Sequence, residues 1–186
     1  MTLTPKDTGW IEVICGSMFS GKTEELIRRI RRAEIAKMNT IIFKPQIDDR
    51  FSSNHVVSHN QSKRESKLVK NAQDILDLSA NMDVIGIDEA QFFDGEIVDV
   101  CKSLAKTNKR VVVAGLDTDF RGEPFGPMPA LMCEADYLDK FRAICVICGN
   151  PASCSQRTTK NAQQVVIGEA DIYEARCRNC FEPPEN

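Results

Sequence analysis

The residue types and their spacing between positions 16 and 23 are those of a loop that binds phosphate. The segment directly follows the apolar run Trp10–Cys15 and matches the pattern G-x-x-x-x-G-K-S/T. In such a loop, successive backbone N–H groups converge on an anion, and the next helix adds the positive end of its dipole. Lys22 is expected to reach the β- and γ-phosphates, and the hydroxyl of Thr23 to coordinate Mg²⁺. The alternative is a chance match in a strand-to-helix turn. We predict a nucleoside triphosphate site formed by Gly16, Ser17, Met18, Phe19, Ser20, Gly21, Lys22 and Thr23.

A second chemical feature is an apolar run that ends in two carboxylates. Val84–Ile87 predicts a buried strand, and Asp88 and Glu89 follow it immediately. Enzymes with a phosphate loop place an acidic residue at this edge of the sheet to hold Mg²⁺, and we assign that role to Asp88. Glu89 diverges from Asp88 at the strand end and can accept the proton of a hydroxyl nucleophile as general base. The alternative for Glu89 is a charged turn residue in solvent. Ala90 and Gln91 complete the segment assigned to the nucleotide and Mg²⁺.

Four cysteines form two C-x-x-C pairs. The pairs are Cys145/Cys148 and Cys177/Cys180, with 28 residues between them. Four thiolates in this arrangement suit tetrahedral Zn²⁺, and we predict a structural site because the protein fills all four positions. Two strands, over residues 164–167 and 172–176, are expected to fill the interval. A redox role is the weaker alternative because thioredoxin-like motifs carry a single pair, and an iron–sulfur cluster would need an electron-transfer partner.

The other four of the eight cysteines receive no metal in this interpretation. Cys154 lies outside the quartet, whereas Cys15, Cys101 and Cys133 lie in apolar or helical contexts and are predicted to be small buried residues. A disulfide framework is not expected, because we predict a reducing, cytoplasmic location. That location is favoured by an N-terminus without the apolar core of a signal peptide. No apolar run approaches the roughly 18–20 residues that cross a bilayer.

The elements that must position these residues alternate between β-rich and helical patterns. We predict an α/β fold with a parallel sheet covered by helices, similar to that of phosphate-loop NTPases, over residues 1–142, and a small ribbon-like zinc-binding subdomain over residues 143–186. Residues 46–65 and 117–129 are polar or rich in Gly and Pro and are predicted to be loops. The predicted strands are 10–15, 40–43, 84–87 and 111–116, and the predicted helices are 20–37, 72–78 and 95–106.

The net charge of the chain limits the kinds of binding partner that we expect. The net charge of −3 and the pI near 5.5 argue against a protein that chiefly binds duplex nucleic acid. Four arginines between positions 28 and 32 form a basic patch on the first predicted helix. We interpret this patch as a solvated face; a subunit contact or a phosphate clamp is the alternative.

These motifs, in this order, resemble those of the zinc-containing thymidine kinases of the cellular type. The resemblance runs from about residue 10 to 180 and rests on the phosphate loop, Asp88–Phe93, Pro124–Gly126, the two cysteine pairs and Gly168–Tyr173. It implies Mg²⁺-dependent transfer of the γ-phosphoryl group of ATP to the 5′-hydroxyl of thymidine, with Glu89 as the base. It also implies a homotetramer that dTTP inhibits.

The resemblance further implies a pyrimidine pocket under a lasso-like loop. Arg157 matches a basic position near that loop, and Asp48 and Arg50 match a loop near the phosphates. Cys154 stands where the family usually has an aromatic residue, and Ser155 where many members have threonine near the thymine methyl, so deoxyuridine is an alternative substrate. The implied pocket residues are Met18, Phe92, Leu116, Phe120, Phe125, Val166, Ile167, Gly168 and Tyr173.

Two other classes of protein compete with a nucleoside kinase. A nucleic-acid-dependent ATPase can combine a phosphate loop with a zinc ribbon, but it would need a longer chain and a basic surface. A regulatory nucleotide switch would more naturally carry a guanine-reading N-K-x-D motif, which this sequence lacks. We therefore favour the kinase, with ATP and thymidine as ligands and neither nucleic acid nor a membrane as a partner.

Overall fold

A six-stranded sheet organises the chain. The computed structural model describes residues 7–46, 55–57, 63–159 and 172–183, with backbone only at 55–57 and 63–64. The strands are β1 Trp10–Gly16, β2 Thr40–Pro45, β3 His55–Val57, β4 Lys63–Glu65, β5 Lys67–Val69, β6 Val84–Ile87, β7 Arg110–Gly115, β8 Tyr137–Phe141, β9 Ala143–Ile144, β10 Pro151–Ala152, β11 Cys154–Arg157 and β12 Tyr173–Arg176. The helices are α1 Lys22–Ile35, α2 Gln73–Leu78, α3 Glu96–Lys106 and α4 Met128–Glu134, with a short 3-10 helix at Ala90–Phe92.

The central sheet is entirely parallel among the described residues. Its strand order is β5-β2-β6-β7-β1-β8, and every neighbouring pair runs in the same direction. Strands β1, β6 and β7 are buried on both faces, which explains why their sequences are nearly continuous apolar runs. The carboxyl ends of these three strands therefore carry the phosphate loop, the acidic pair and the loop after residue 115 to one edge of the sheet.

Helices cover both faces of the sheet, as predicted. Successive side chains of a strand point to opposite faces, so Val13 and Val113 pack with α2, α3 and α4, whereas Ile14 and Val112 pack beneath α1. Gly86 of β6 lies directly under α1, because a Cβ there would approach side-chain atoms of that helix at 3.3 Å. The predicted α/β architecture is confirmed. Among the described residues no helix has both the length and the apolar character that a bilayer-spanning segment needs.

Three regular elements of the sheet layer, α4, β5 and β8, were absent from the sequence prediction. The loop predicted over 117–129 is shorter than expected, because helix α4 begins at Met128, directly after Pro127. Strand β8 was also missed. It is an edge strand with three exposed residues in its centre, so it lacks the apolar run by which the inner strands are recognised. The segment 46–65, predicted to be a loop, contains β3 and β4, which pair antiparallel.

The described residues after position 142 form two small antiparallel strand pairs, β9–β10 and β11–β12. We call the described residues 143–159 and 172–183 the C-terminal segment. Strand β12 confirms the predicted strand over 172–176, but its described partner is β11. Residues 164–167, the other predicted strand, lie outside the described part of the chain.

The three cysteines that were predicted to be buried differ in exposure. Cys15 and Cys101 are buried as predicted. Cys133 is exposed on the outer face of α4, so the prediction was wrong for this residue.

Candidate functional site

The phosphate loop joins β1 to α1 in a conformation that needs its glycines. Gly16 has φ 141°, and a Cβ there would lie 2.3 Å from the carbonyl oxygen of Phe141 on the adjacent β8. Gly21 has φ 85°, a left-handed conformation that costs glycine little, and α1 begins at the next residue. The Nζ of Lys22 donates to the carbonyl oxygen of Ser17 across the loop at 2.7 Å. The side chain of Lys22 therefore folds back over the turn.

Thr23 and Asp88 meet at the start of α1. The Thr23 hydroxyl lies 3.4 Å from each carboxylate oxygen of Asp88, which is 3% exposed. Burial, and then the charge of neighbouring Glu89, raises the pKa of Asp88 to about 7. A hydroxyl and a carboxylate are hard oxygen ligands of the kind Mg²⁺ takes beside substrate phosphates, and a cation there would favour the ionised carboxylate. The pair fits the predicted Mg²⁺ position.

Glu89 has an uncommon backbone conformation. Its φ of 53° and ψ of 41° are left-handed, which few residues other than glycine adopt, and such strain concentrates at functional sites. Its Oε2 accepts a hydrogen bond of 2.5 Å from Nε2 of Gln91, while Oε1 of Gln91 accepts one of 3.0 Å from the backbone N–H of Leu116. Gln91 is only 2% exposed. Gln91, which is predicted to belong to the nucleotide site, connects Glu89 to the end of β7.

A third carboxylate near the loop was not singled out by the sequence. Asp117 follows β7 and is buried; its Oδ2 pairs with Nζ of Lys140 at 2.6 Å, while its Oδ1 has no hydrogen-bond partner within the described residues. Burial lowers the pKa of Lys22, and the negative charges of Glu89, Asp88 and Asp117 oppose this effect. The available signal was the position of Asp117, since a polar residue directly after a buried parallel strand faces the ligand edge.

The aromatic residues of the implied pyrimidine pocket form two groups of contacting side chains. The rings of Phe92 and Phe125 meet edge to face with centroids 5.5 Å apart. The guanidinium carbon of Arg157 lies 3.6 Å from the ring centroid of Phe120, and its Nη2 donates to the hydroxyl of Tyr173 at 2.6 Å. Arg157, Phe120 and Tyr173 are buried. An aromatic set of this kind can hold a planar base.

Several predicted positions cannot be placed. Val166, Ile167 and Gly168 of the implied pocket lie outside the described residues, as do Asp48 and Arg50. Of the remaining pocket residues, Met18, Phe92 and Leu116 are partly exposed. The described part of the pocket is therefore its wall on the sheet side and on β12.

The phosphate loop also contacts the C-terminal segment. The Ser17 hydroxyl donates to the carbonyl oxygen of Ala152 at 3.3 Å, and the Met18 N–H donates to the Ser155 hydroxyl at 3.0 Å. These bonds join residues more than a hundred positions apart. The two regions of predicted chemistry are therefore in direct contact.

The four cysteines of the quartet converge in the C-terminal segment. Their Sγ atoms all lie within 4.8 Å of one another, and those of Cys148 and Cys177 are 3.6 Å apart. Sulfurs about 2.3 Å from a shared tetrahedral ion would be separated by roughly 3.8 Å. The donor set therefore fits Zn²⁺, with the ligands Cys145, Cys148, Cys177 and Cys180.

Backbone N–H groups around the quartet favour thiolates at two positions. Burial alone would raise the pKa of Cys145, but N–H groups of Cys177, Cys148 and Ile147 outweigh it and lower that pKa to about 6. The N–H of Cys180 is the main cause that lowers the pKa of Cys177. A metal binds the thiolate, so the lowered pKa values of Cys145 and Cys177 suit a cation, whereas hydrogen bonding with Cys148 and Cys177 raises the pKa of Cys180 to about 12.

Comparisons with known proteins agree on one family. The sequence model of that family, described as thymidine kinase, matches residues 9–181. A protein of Rhodothermus sp. strain ITI 518 named thymidine kinase is 57% identical over 176 residues, which cover 95% of this chain and 83% of the relative. A thymidine kinase of Bacteroides fragilis strain YCH46 is 55% identical over 174 residues, covering 94% of this chain and 87% of the relative.

Proposed function

The chain belongs to the thymidine kinase family, and on this premise we propose that it transfers the γ-phosphoryl group of ATP to the 5′-hydroxyl of thymidine. The observation that carries the mechanism is the convergence of three groups at one sheet edge. Lys22 and Thr23 follow the carboxyl end of β1, and Asp88 and Glu89 follow that of β6; β7 lies between these two strands, and the 3.4 Å contact from Thr23 to Asp88 bridges the gap. Phosphoryl transfer depends on charge neutralisation and in-line positioning more than on covalent chemistry, and these groups supply both.

The phosphate loop holds the triphosphate in this proposal. Its backbone N–H groups and the N-terminus of α1 face the anion, and Lys22 exchanges its bond to Ser17 for the β- and γ-phosphates. Thr23 and Asp88 provide oxygen ligands for Mg²⁺, which neutralises phosphate charge when it is bound. The lowered pKa of Lys22 reflects a partly buried cation, and an arriving triphosphate would stabilise its charge.

Glu89 removes the proton of the 5′-hydroxyl. It directly follows Asp88, so its carboxylate can face the acceptor while Asp88 faces the cation. The bond from Gln91 holds one carboxylate oxygen and leaves the other for the substrate. A general base of this kind contributes about 10²–10⁴-fold to the rate.

The thymine base lies against the aromatic wall described above. Phe92 and Phe125 follow β6 and β7, and Phe120 and Tyr173 are joined through Arg157. Ser155 is 2% exposed and bonds to Met18, so its hydroxyl is used within the protein. Deoxyuridine lacks only the methyl group, and a missing methyl changes binding in an apolar pocket by about 10–200-fold.

The proposed zinc is structural, in a subdomain that begins near residue 143. All four ligands come from the protein, which leaves no position for a reacting water. From the family resemblance we also propose a homotetramer that works in the cytoplasm and is inhibited by dTTP. Size-exclusion chromatography with light scattering tests the assembly, and a dTTP titration of the kinase rate tests the inhibition.

The decisive test is Glu89→Gln, assayed for dTMP with Mg²⁺, ATP and thymidine. We expect kcat to fall about 10²–10⁴-fold, while the affinity for ATP, measured by calorimetry, is unchanged. Full turnover in the variant would eliminate Glu89 as the base. ATP hydrolysis that is stimulated by DNA, without a phosphorylated nucleoside, would point to the zinc-ribbon ATPase instead.

A further inference from the structure

We infer that the C-terminal segment positions the phosphate loop, with Phe19 as the positioning residue that transmits its effect. This inference rests on the proposed function, because it matters only if residues 16–23 bind ATP. It assigns the segment a role in the reaction beyond that of a zinc-stabilised appendage. It also assigns the side chain of Phe19 a role other than direct contact with the nucleotide.

Phe19 belongs to the loop by sequence but packs with the C-terminal segment. Its side chain lies against a small apolar cluster that also receives Cys180; the cluster consists of Ala143, Cys145, Ala152, Ala175 and Cys177. Phe19 has φ 62°, a left-handed conformation that a bulky residue seldom adopts. Such a conformation persists where surrounding contacts hold it, and the cluster supplies these contacts.

Hydrogen bonds hold the two residues before Phe19 to the same segment. The Ser17 hydroxyl bonds to the carbonyl oxygen of Ala152, and the Met18 N–H bonds to the hydroxyl of Ser155. Ser155 is buried on β11 and lies opposite Ala175 of β12, a member of the cluster. Three consecutive loop residues are thus fixed by three different contacts with one segment.

These contacts join the candidate zinc site to the proposed nucleotide site. Cys145 and Cys177 are members of the cluster and also two of the four candidate zinc ligands. A zinc ion held by the quartet would therefore fix the surface on which Phe19 packs. Ser20, Gly21 and Lys22 follow Phe19 directly, so a displacement of its side chain is passed to the backbone that faces the phosphates. A displacement of about 1 Å at a reacting centre lowers the rate about 10²-fold.

The test compares Phe19→Ala and Phe19→Leu by three measurements. These are zinc per chain by elemental analysis, the Kd of Mg²⁺-ATP by calorimetry, and the steady-state KM and kcat. For Phe19→Ala we expect about one zinc per chain and an ATP Kd raised about tenfold or more, since tenfold corresponds to only 1.4 kcal/mol. Phe19→Leu keeps an apolar group on the cluster and should recover most of the affinity. Val146→Ala is the matched control, because this exposed residue of the first cysteine pair lies outside the cluster.

A second variant tests the contact through Ser155 without altering Phe19. Ser155→Ala removes the acceptor of the Met18 N–H, and we expect it to weaken ATP binding while zinc content stays unchanged. An ATP Kd within twofold of the unmodified enzyme for both Phe19→Ala and Ser155→Ala would overturn the inference. Lys22→Ala separates this failure from failure of the proposed function, since unchanged ATP binding in that variant would show that the loop is not the triphosphate site.

Discussion

The sheet layer and the C-terminal segment are stabilised in different ways. The sheet is packed on both faces, with α1 on one side and three helices on the other, around fully buried residues such as Ile85 and Val113. The C-terminal segment has one small cluster of alanines and cysteines with Phe19 at its edge. Because so little apolar surface is buried there, we expect the segment to depend on a crosslink, and the quartet could supply the ligands for one. The proposed catalytic edge thus combines a sheet with its own core and a neighbouring segment that we expect a metal to stabilise.

Removal of the metal should have the largest effect and should separate the two regions. A structural Zn²⁺ bound by thiolates contributes on the order of 10–16 kcal/mol in small domains. In a protein treated with a chelator, or in Cys145→Ser with Cys148→Ser, we expect amide hydrogens of β9 to β12 to exchange rapidly, while those of β1, β6 and β7 stay protected.

Segment-resolved hydrogen exchange by mass spectrometry measures this difference. Cys154→Ser is the matched control, because Cys154 is a nearby cysteine outside the quartet. Protection of the C-terminal segment that survives in a metal-free, active enzyme would contradict the comparison.

Acid should weaken the sheet layer through Glu12 on β1. Burial alone would raise the pKa of Glu12, but hydrogen bonds from Arg110, Trp10 and Arg29 outweigh it and lower that pKa below 4.5. A lowered pKa means that the unfolded state binds more protons, so this stabilisation is present above pH 4.5 and is lost as the pH falls through the folded-state value. Glu12→Gln should cost about 2 kcal/mol at pH 7 and flatten the acid limb of stability.

Urea unfolding of the zinc-loaded protein at several pH values provides the measurement for Glu12. Zinc content should not change in Glu12→Gln, since Glu12 bonds to β7 and α1 rather than to the C-terminal segment. If the free energy of unfolding of Glu12→Gln varied with pH as that of the unmodified protein does, the network around Glu12 would contribute nothing to the loss of stability in acid. Glu96→Gln is a useful control, because Glu96 is an exposed carboxylate on α3 that lies outside this network.

The smallest expected effect comes from Gln91→Leu, which tests how the sheet edge positions Glu89. The change removes the bond to Glu89 and leaves the N–H of Leu116 without its acceptor. One hydrogen bond to a charged group contributes about 1.5–3 kcal/mol, so we expect kcat to fall about tenfold or somewhat more. The KM for ATP and the zinc content should not change. A rise in KM for ATP with an unaltered kcat would instead show that Gln91 acts in the nucleotide site and not on Glu89.

Sequence patterns located the inner elements well and the outer elements poorly. The strand over 84–87 was predicted with its observed bounds, because a strand buried on both faces is a continuous apolar run. Edge strand β8 has no such run, and β3, β4 and β5 are only three residues long each. Helix α4 was missed because Pro127 and Pro129 are typical of a loop. The basic patch predicted to be solvated divides instead: Arg28 is exposed, whereas Arg29 is 11% exposed and bonds to Glu12, Glu25 and Asp139.

The sequence by itself determined which groups this protein has for chemistry, because local order prescribes a phosphate loop, an acidic pair after a strand and two cysteine pairs. Only the tertiary structure decided which of these groups hold one another. The bond from Met18 to Ser155 spans 137 positions and that from Leu116 to Gln91 spans 25. Such contacts depend on how the layers of the fold pack against each other. The periodic pattern of residues along the sequence does not predict them, because it reflects only local structure.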